Sequence, residues 1–406
     1  MRAAGALAAG LALIAPASAE AAGWSRAATL SPGAAGLTSP AVAVNAAGEG
    51  VIAAGGGLPA TPAKVRAALV TGRRFGTPRA LGRGRDVVAA IGPDGTAVVA
   101  WTGRGDALKV AVRRPGGRFR AARTLGGFGA QPRVAVAASG EVAVTWLEFH
   151  RDFVRAKAAF GTADGFGAPV PLDTASFAYP VELAFDGSGD LAMAWSAQSA
   201  PGSGPTWTLK VIHRASDSSL GAVQEPASGY AYDVRLARSA AGGTYLSWIG
   251  NSGPESGELG PTQTAIAPAG GGFDAPASPE PKNARTLGAR VAAVGDSLLT
   301  LYTMRKGPLR AAVRTTGAGF RTLTVLTQSA AQNPELDGSL ATWSQPRIQM
   351  ARRLPGGRWA RVKPPRGVPA QKRGFDAVHA TAAEGRRVIV AWLDSRGRMR
   401  AAARTL

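Results

Sequence analysis

The sequence predicts an all-β fold: an eight-bladed β-propeller of four-stranded antiparallel blades, closed by an N-terminal strand. Three observations predict it. Gly (54 residues) and Pro (28 residues) are spread along all 406 positions, and these are the poorest residues in a helix interior. A pair of Val- and Ala-rich strands, joined by a Gly-containing turn and ending in an aromatic, recurs along the chain. The two chain ends carry complementary fractions of that unit.

The best-preserved copy of the strand pair contains "GPDGTAVVAW", residues 92–101. Four strong copies follow: "RVAVAASGEVAVTW" ends at Trp146, "VELAFDGSGDLAMAW" at Trp195, "DVRLARSAAGGTYLSW" at Trp248 and "VHATAAEGRRVIVAW" at Trp392. Weaker copies are "VAVNAAGEGVIAAG", "RVAAVGDSLLTLY" ending at Tyr302, and the shortened "NPELDGSLATW" ending at Trp343, which makes eight. Trp101, Trp146, Trp195 and Trp248 lie 45, 49 and 53 residues apart. A period near 40–50 residues matches one four-stranded propeller blade per repeat.

The second half of each copy supplies the other two strands. A third strand such as "LKVAVRR" or "LRAAVRT" is followed by a Gly turn and a fourth strand opened by an aromatic. The aromatic-x5-Leu spacing recurs at Phe75 to Leu81, Phe119 to Leu125, Phe166 to Leu172 and Phe320 to Leu326. The last copy stops after a third strand, "MRAAARTL", while "GWSRAATL" near the start keeps the fourth-strand spacing from Trp24 to Leu30. An N-terminal strand completing the C-terminal blade closes the ring and removes its open edges. If the short seventh copy were absorbed by a neighbour, the ring would have seven blades instead.

Alternation puts every second residue of a strand on one face. Trp101, Trp146, Trp195, Trp248, Trp343 and Trp392 are therefore expected as wedges between adjacent blades, and the small Val and Ala residues suit the crowded axis.

The chain opens with Met1-Arg2, an apolar run to Ile14 and a small-x-small Ala17-Ser18-Ala19, the pattern of a secretory signal peptide. The expected organisation is a signal peptide over 1–19 and one propeller domain over 20–406. No later segment has the roughly 20 apolar residues of a spanning helix. Cysteine is absent, so an exported chain of this kind relies on a packed core rather than disulfides. The expected location is extracellular or at the cell envelope, as a monomer.

"GPDGTAVVAW" resembles the Pro-Asp-Gly repeat of TolB-type propellers and, more broadly, the repeats of secreted bacterial β-propeller proteins. The resemblance covers the whole chain after residue 19 as a repeat pattern and implies the fold. Among enzymatic propellers the sialidases are the nearest to consider. Their Ser-x-Asp-x-Gly-x-Thr-Trp hairpin is not matched here, although Tyr230, Tyr232, Glu225 and Arg235 could be set against the tyrosine, carboxylate and arginine roles of that family.

The residues themselves identify no catalytic set. Three histidines, His150, His213 and His379, fall in different copies without a second His at ligand spacing, so no metal or cofactor is expected. "DGSGD", 186–190, begins like a calcium loop, but Leu191 takes the glycine position and no Glu closes the loop. There is no Gly-x-Ser-x-Gly elbow, and the "GGG" runs at 55–57 and 270–272 precede no helix pattern, unlike phosphate loops.

Binding is better placed on the loops that differ between copies, because loops on a rigid scaffold commonly carry function. Loops joining the second strand to the third emerge on the same face as the connections between blades. They are long at 147–153, 196–207 and 249–261. Phe149, His150, Arg151, Asp152, Phe177, Tyr179, Trp207, Tyr230 and Tyr232 are expected on that rim. The net charge is +21, and from Arg347 to Arg404 fifteen Lys or Arg face three acids. Arg352, Arg353, Arg358, Arg361, Lys363, Arg366, Lys372 and Arg373 are the expected contacts for an anionic surface, since a strongly basic sector attracts polyanions.

These readings point to a binding or interaction scaffold whose partner is an extracellular glycan, an anionic envelope polymer or another protein. Nucleic acid is disfavoured, because the basic sector lacks an ordered aromatic stacking platform. The alternative is a propeller hydrolase or lyase acting on extracellular polysaccharide, with the same rim as its mouth.

Overall fold

The computed structural model describes residues 23–406 except 32–39, 200–205, 251–258, 283, 305–306, 330, 346, 370–378 and 395. The signal peptide expected over 1–19 lies outside the described residues, as do Lys372 and Arg373. The described chain is 60% strand and 1% helix, and no helix in it is long and apolar enough to cross a membrane.

Eight antiparallel sheets form the blades, numbered here in chain order. Their inner strands are Ala41–Val44, Arg85–Ile91, Gly129–Val136, Glu182–Phe185, Ala231–Arg238, Thr286–Val294, Gln332–Asp337 and His379–Glu384. Each inner strand packs beside the next, and the eighth returns to the first. The short seventh copy makes a sheet of its own, with Leu340–Gln345, Arg347–Arg353 and Trp359–Val362 outside its inner strand. That settles eight blades rather than seven.

Blade 5 departs from the four-strand pattern. Three strands pair regularly, and the outer position is filled by an irregular segment whose backbone bonds to the third strand join Thr264 with Ala277 and Asp274 with Ile266, while Glu280 Oε2 accepts from Thr262 N at 2.7 Å. Pro276, Pro279 and Pro281 crowd this stretch and remove the donors a regular ladder needs.

The ring closes as the chain ends predict. Ala28–Thr29 pairs antiparallel with Met399–Thr405, with Ala28 opposite Ala401 and Thr29 opposite Arg400. Leu30 N donates to Met399 O at 2.7 Å and Ser25 N to Ala403 O at 2.9 Å. Leu30 is buried in the core shared by blades 8 and 1, beside Ile52, Val70 and Ile389.

The six tryptophans behave as wedges. All are buried, and each packs against the preceding blade: Trp101 with Val51 and Val65, Trp146 with Val98 and Leu108, Trp195 with Leu147 and Val154. Trp248 packs with Leu209, Trp343 with Leu299 and Trp392 with Ile348. Tyr302 holds the same place in blade 6, fully buried beside Ala289 and Ala312.

In the 92–101 hairpin, Asp94 is a turn former. Its Oδ1 accepts from Thr96 N at 2.8 Å and its Oδ2 from Thr96 Oγ1 at 2.6 Å, the Asx-turn chemistry of such hairpins. Gly95 has φ of 88°, a left-handed conformation that only glycine adopts without strain.

Part of the arginine excess is interior. Arg113, Arg214 and Arg314 end the third strands of blades 2, 4 and 6, and all are buried. Arg314 donates to Thr264 O at 2.9 Å in the preceding blade and pairs with Asp274 at 2.9 Å. Arg214 reaches Glu141 of blade 3 at 2.9 Å. Arg214 and Arg314 thus clamp their blades to the preceding one, because a planar fork can serve several acceptors at once, whereas Arg113 ties the turns of its own blade, donating to Gly95 O and Gly117 O at 3.0 Å.

Candidate functional site

The loop-rich rim of blades 4 and 5 gathers five aromatic rings. Phe177, Tyr179, Trp207, Tyr230 and Tyr232 form a continuous cluster with ring centroids 4.8–6.0 Å apart. They come from three places in the chain: the entry to blade 4, the start of its third strand, and the entry to blade 5. Most pairs meet edge to face, the arrangement that ring quadrupoles favour. Tyr179 stacks on Trp207 at 5.6 Å, and Phe177 and Tyr232 remain exposed at 41% and 36%. The Trp207 Nε1 donor is buried without a hydrogen-bond partner among the described residues.

Hydrogen bonding fixes the middle of the cluster. Tyr179 N donates to Ser196 O at 2.9 Å, and the Tyr179 and Tyr230 hydroxyls bond to each other. Burial, reinforced by the bond to Tyr230, raises the Tyr179 hydroxyl above its ordinary value. It therefore stays protonated and serves as a donor or acceptor rather than a base.

The other expected rim residues are on blade 3. Phe149, His150, Arg151 and Asp152 are exposed at the turn after the second strand. His150 stacks on Phe153 at 4.4 Å and lies 3.9 Å from Glu148, which pairs with Lys157 at 2.9 Å. Among the described residues these four make no ring contact with the aromatic cluster, so the nine divide into two groups.

Below the rim runs a belt of charge that the loop reading missed. Tyr179 lies three residues ahead of Glu182, and Tyr232 three residues ahead of Arg235, on the same inner strands. Glu182 accepts from Arg133 at 2.8 Å and Arg235 at 3.2 Å; Arg235 also pairs with Asp233. Asp233 in turn takes Arg290 at 3.1 Å, and Arg290 reaches Glu335 at 3.4 Å. The chain of ion pairs therefore crosses blades 3 to 7. Burial pushes the Glu182 carboxyl up, but Arg133, Arg235 and Arg290 outweigh it, and the net displacement is downward.

A repeated backbone feature aims these side chains. The inner strands of blades 3 and 5 carry a bulge just ahead of Arg133 and Arg235, with Gln131 and Asp233 at φ of 54° and 51°. Such a bulge re-aims the side chains beside it. Register across the repeat places Val88, Arg133, Glu182, Arg235, Arg290 and Glu335 at one level, each opposite the residue just before the wedge aromatic. The signal was present in the sequence: Val88, Arg133, Glu182 and Arg235 each stand thirteen residues ahead of Trp101, Trp146, Trp195 and Trp248.

Asp337 differs from the belt acids. It lies toward the hairpin end of the blade 7 inner strand, opposite Leu340, and accepts from Ala383 N of blade 8 at 2.6 Å. It makes no ion pair among the described residues, and burial, with Glu384 and Glu335 adding repulsion, pushes its carboxyl up to about 7. No group of three or more His, Asp or Glu among the described residues is arranged to hold a metal ion.

The basic residues of blade 7 also divide. Arg361 lies over the Trp343 ring at 5.2 Å and donates to Leu326 O at 3.1 Å, while Arg352 donates to Gly385 O at 3.2 Å. Arg353 and Arg358 border a shallow depression beside Trp359. Lys363 and Arg366 are exposed and face the N-terminal strand across a groove.

No family model matches the chain, and no curated protein matches it in sequence. The TolB-type resemblance therefore extends no further than the propeller fold. Among solved structures, the chain is similar to the BP39L lectin from Burkholderia pseudomallei, with a TM-score of 0.54 at 16% identity over 79% of this chain and 95% of the lectin. It is also similar to the polysaccharide lyase Uly1, with a TM-score of 0.52 at 8% identity over 93% and 90% of the two chains. An ulvan lyase bound to an oligosaccharide gives 0.51 at 12% identity over 80% and 96%. At these identities the likeness is one of fold: an eight-bladed β-propeller.

Proposed function

We propose that the protein is an extracellular or envelope-associated glycan-binding propeller whose binding surface is the aromatic cluster on the rim of blades 4 and 5. One observation carries this reading. Five aromatic rings converge from the entries to blades 4 and 5 and the start of the third strand of blade 4, two of them exposed, on the same inner strands as a belt of arginines and carboxylates. Exposed rings offer flat apolar faces to the C–H surface of a sugar, and a few convergent polar groups beneath them can orient its hydroxyls. The similar structures include a lectin and polysaccharide lyases, which agrees with the reading.

Binding is favoured over hydrolysis or elimination by the state of the carboxylates near the mouth. Glu182 and Asp233 are both held in ion pairs with arginine, and the arginines hold the Glu182 carboxyl below its ordinary value, away from the role of a proton donor. The raised carboxyls among the described residues, Asp337 and Glu384, both sit at the hairpin ends of their inner strands, away from the rim.

The test is a titration of tryptophan fluorescence against a panel of neutral and acidic oligosaccharides, with Tyr232→Ala beside the wild type. A saturable change that the substitution weakens at least about fivefold is expected, in line with about 1 kcal/mol for one aromatic contact. Release of product from any of the same sugars would overturn the binding reading in favour of catalysis.

A further inference from the structure

The seam where the ring closes carries a second site. A groove of about 640 Å³ runs between the N-terminal strand, the segment after the outer strand of blade 7, and the third strand of blade 8. Arg26, Lys363, Arg366, Arg400 and Arg404 line it, and no acid does. The nearest ion pair is Arg400 with Asp394 at 3.8 Å, and that carboxylate is already engaged by Arg398 at 2.8 Å. Arg26, Lys363 and Arg366 form no ion pair among the described residues and are exposed. The Nε donors of Arg400 and Arg404 are buried with no hydrogen-bond partner among the described residues.

Five cations converging on one groove repel each other, a cost that a bound polyanion would remove. Guanidinium forks match the planar or tetrahedral oxygens of carboxylate, sulfate and phosphate. The groove also has apolar surface from Trp24, Pro364 and Pro365, which suits a sugar ring and gives nothing to a bare inorganic anion. Its volume is that of a pocket taking an extended segment rather than one ion.

We infer that this groove binds an acidic polysaccharide, and that occupancy locks the ring closed. The second half follows from where the cations sit. Arg26 lies two residues ahead of the closing strand Ala28–Thr29, Arg400 and Arg404 belong to the strand it pairs with, and Lys363 and Arg366 follow the outer strand of the neighbouring blade. Only Ala28 and Thr29 of the closing strand are in regular register with blade 8. A polyanion laid across all three segments binds only the closed form, so it stabilises the fold by mass action.

The experiment is a thermal-unfolding titration with dextran sulfate, in parallel with neutral dextran and with inorganic polyphosphate matched in charge. Dextran sulfate is expected to raise Tm at low salt, with the shift fading toward 0.5 M salt as the charges are screened; neutral dextran should leave Tm unchanged. The double variant Arg26→Ala/Lys363→Ala should weaken the response at least about tenfold in midpoint concentration. Lys64→Ala/Arg79→Ala, which removes the same charge from the exposed outer part of blade 1, should not. Phe177→Ala, at the rim, should also leave it intact, which separates this site from the one proposed above. Equal weakening by both double variants would reduce the effect to general charge and overturn the site. A Tm shift from polyphosphate as large as that from dextran sulfate would overturn the assignment to a saccharide.

Discussion

Trp24 Nε1 donates to the carbonyl oxygen of Lys363 at 2.6 Å, joining residues 339 positions apart in the chain. The indole also packs with Trp392, Val390 and Ile348 in the core between blades 7 and 8. A residue of the N-terminal segment thus acts as the missing aromatic of the last blade, bonded to the blade before it. Replacing Trp24 with Ala removes both the wedge and the bond. Deleting a core Trp costs about 3–5 kcal/mol, and because Trp24 is only half-buried the low end is expected. Urea unfolding should show that loss, and removal of residues 23–31 should produce aggregation from the exposed edge of Met399–Thr405. A Tm unchanged by either alteration would contradict the closure.

The fold was legible because the wedge aromatics and Gly turns serve local geometry in every copy. Trp101 and Trp146 must fill the same gap between blades, so the same residue recurs at the same place. The aromatic cluster was legible for another reason: Tyr179 and Tyr230 stand out in loops otherwise made of small residues. The charged belt was not, since Arg133, Glu182 and Arg235 look like ordinary strand polar residues until the copies are laid over one another. Nor does composition separate Arg314, a buried clamp, from Arg366, an exposed cation. That distinction depends on which blade edge each guanidinium meets, a tertiary fact.

Glu182 holds two arginines that would otherwise face each other across the seams of blades 3, 4 and 5. Glu182→Gln keeps the shape and removes the charge. Breaking a buried pair on one side costs about 3–5 kcal/mol, and partial exposure of the site puts the expected loss at about 2–3 kcal/mol at pH 7. The carboxyl is held below its ordinary value of 4.5, so its contribution is fully present above that value and is lost as pH falls through the lower, folded one. The gap between wild type and variant should therefore be constant from pH 5 to 8 and close toward pH 3. Denaturant melts across that range check it.

Asp337 carries the opposite sign. Its folded carboxyl is raised from 3.8 to about 7, first by burial and then by Glu384 and Glu335, against the bond from Ala383 N. Between these two values the folded state holds a proton that the unfolded chain releases, so stability falls as pH rises from about 4 through 7. Asp337→Asn keeps an acceptor for Ala383 N and cannot ionise. It should match the wild type near pH 4 and exceed it at pH 8 by more than about 1 kcal/mol, since each tenfold change in the proton equilibrium is about 1.4 kcal/mol. A variant less stable than wild type at pH 8 would show that the carboxylate has a compensating partner.

The rim separates contacts made to ligand from contacts made to the fold. Phe177 is 41% exposed, whereas Trp207 is 8% exposed and touches Phe177, Tyr179 and Tyr230. Phe177→Ala removes a face of the cluster that the fold scarcely uses, so Tm should move by no more than a degree or two while sugar affinity falls several-fold. Trp207→Ala empties the centre of the cluster and should lower both, with a stability loss of about 3 kcal/mol. Trp207→Phe then tests the polar edge of the indole: it preserves most of the packing and deletes the unpartnered Nε1 donor. If that donor meets a sugar hydroxyl, affinity should drop with Tm preserved, by roughly the 0.5–1.5 kcal/mol of one hydrogen bond. Equal affinity in Trp207→Phe and wild type would show that the cluster holds its ligand through ring faces alone.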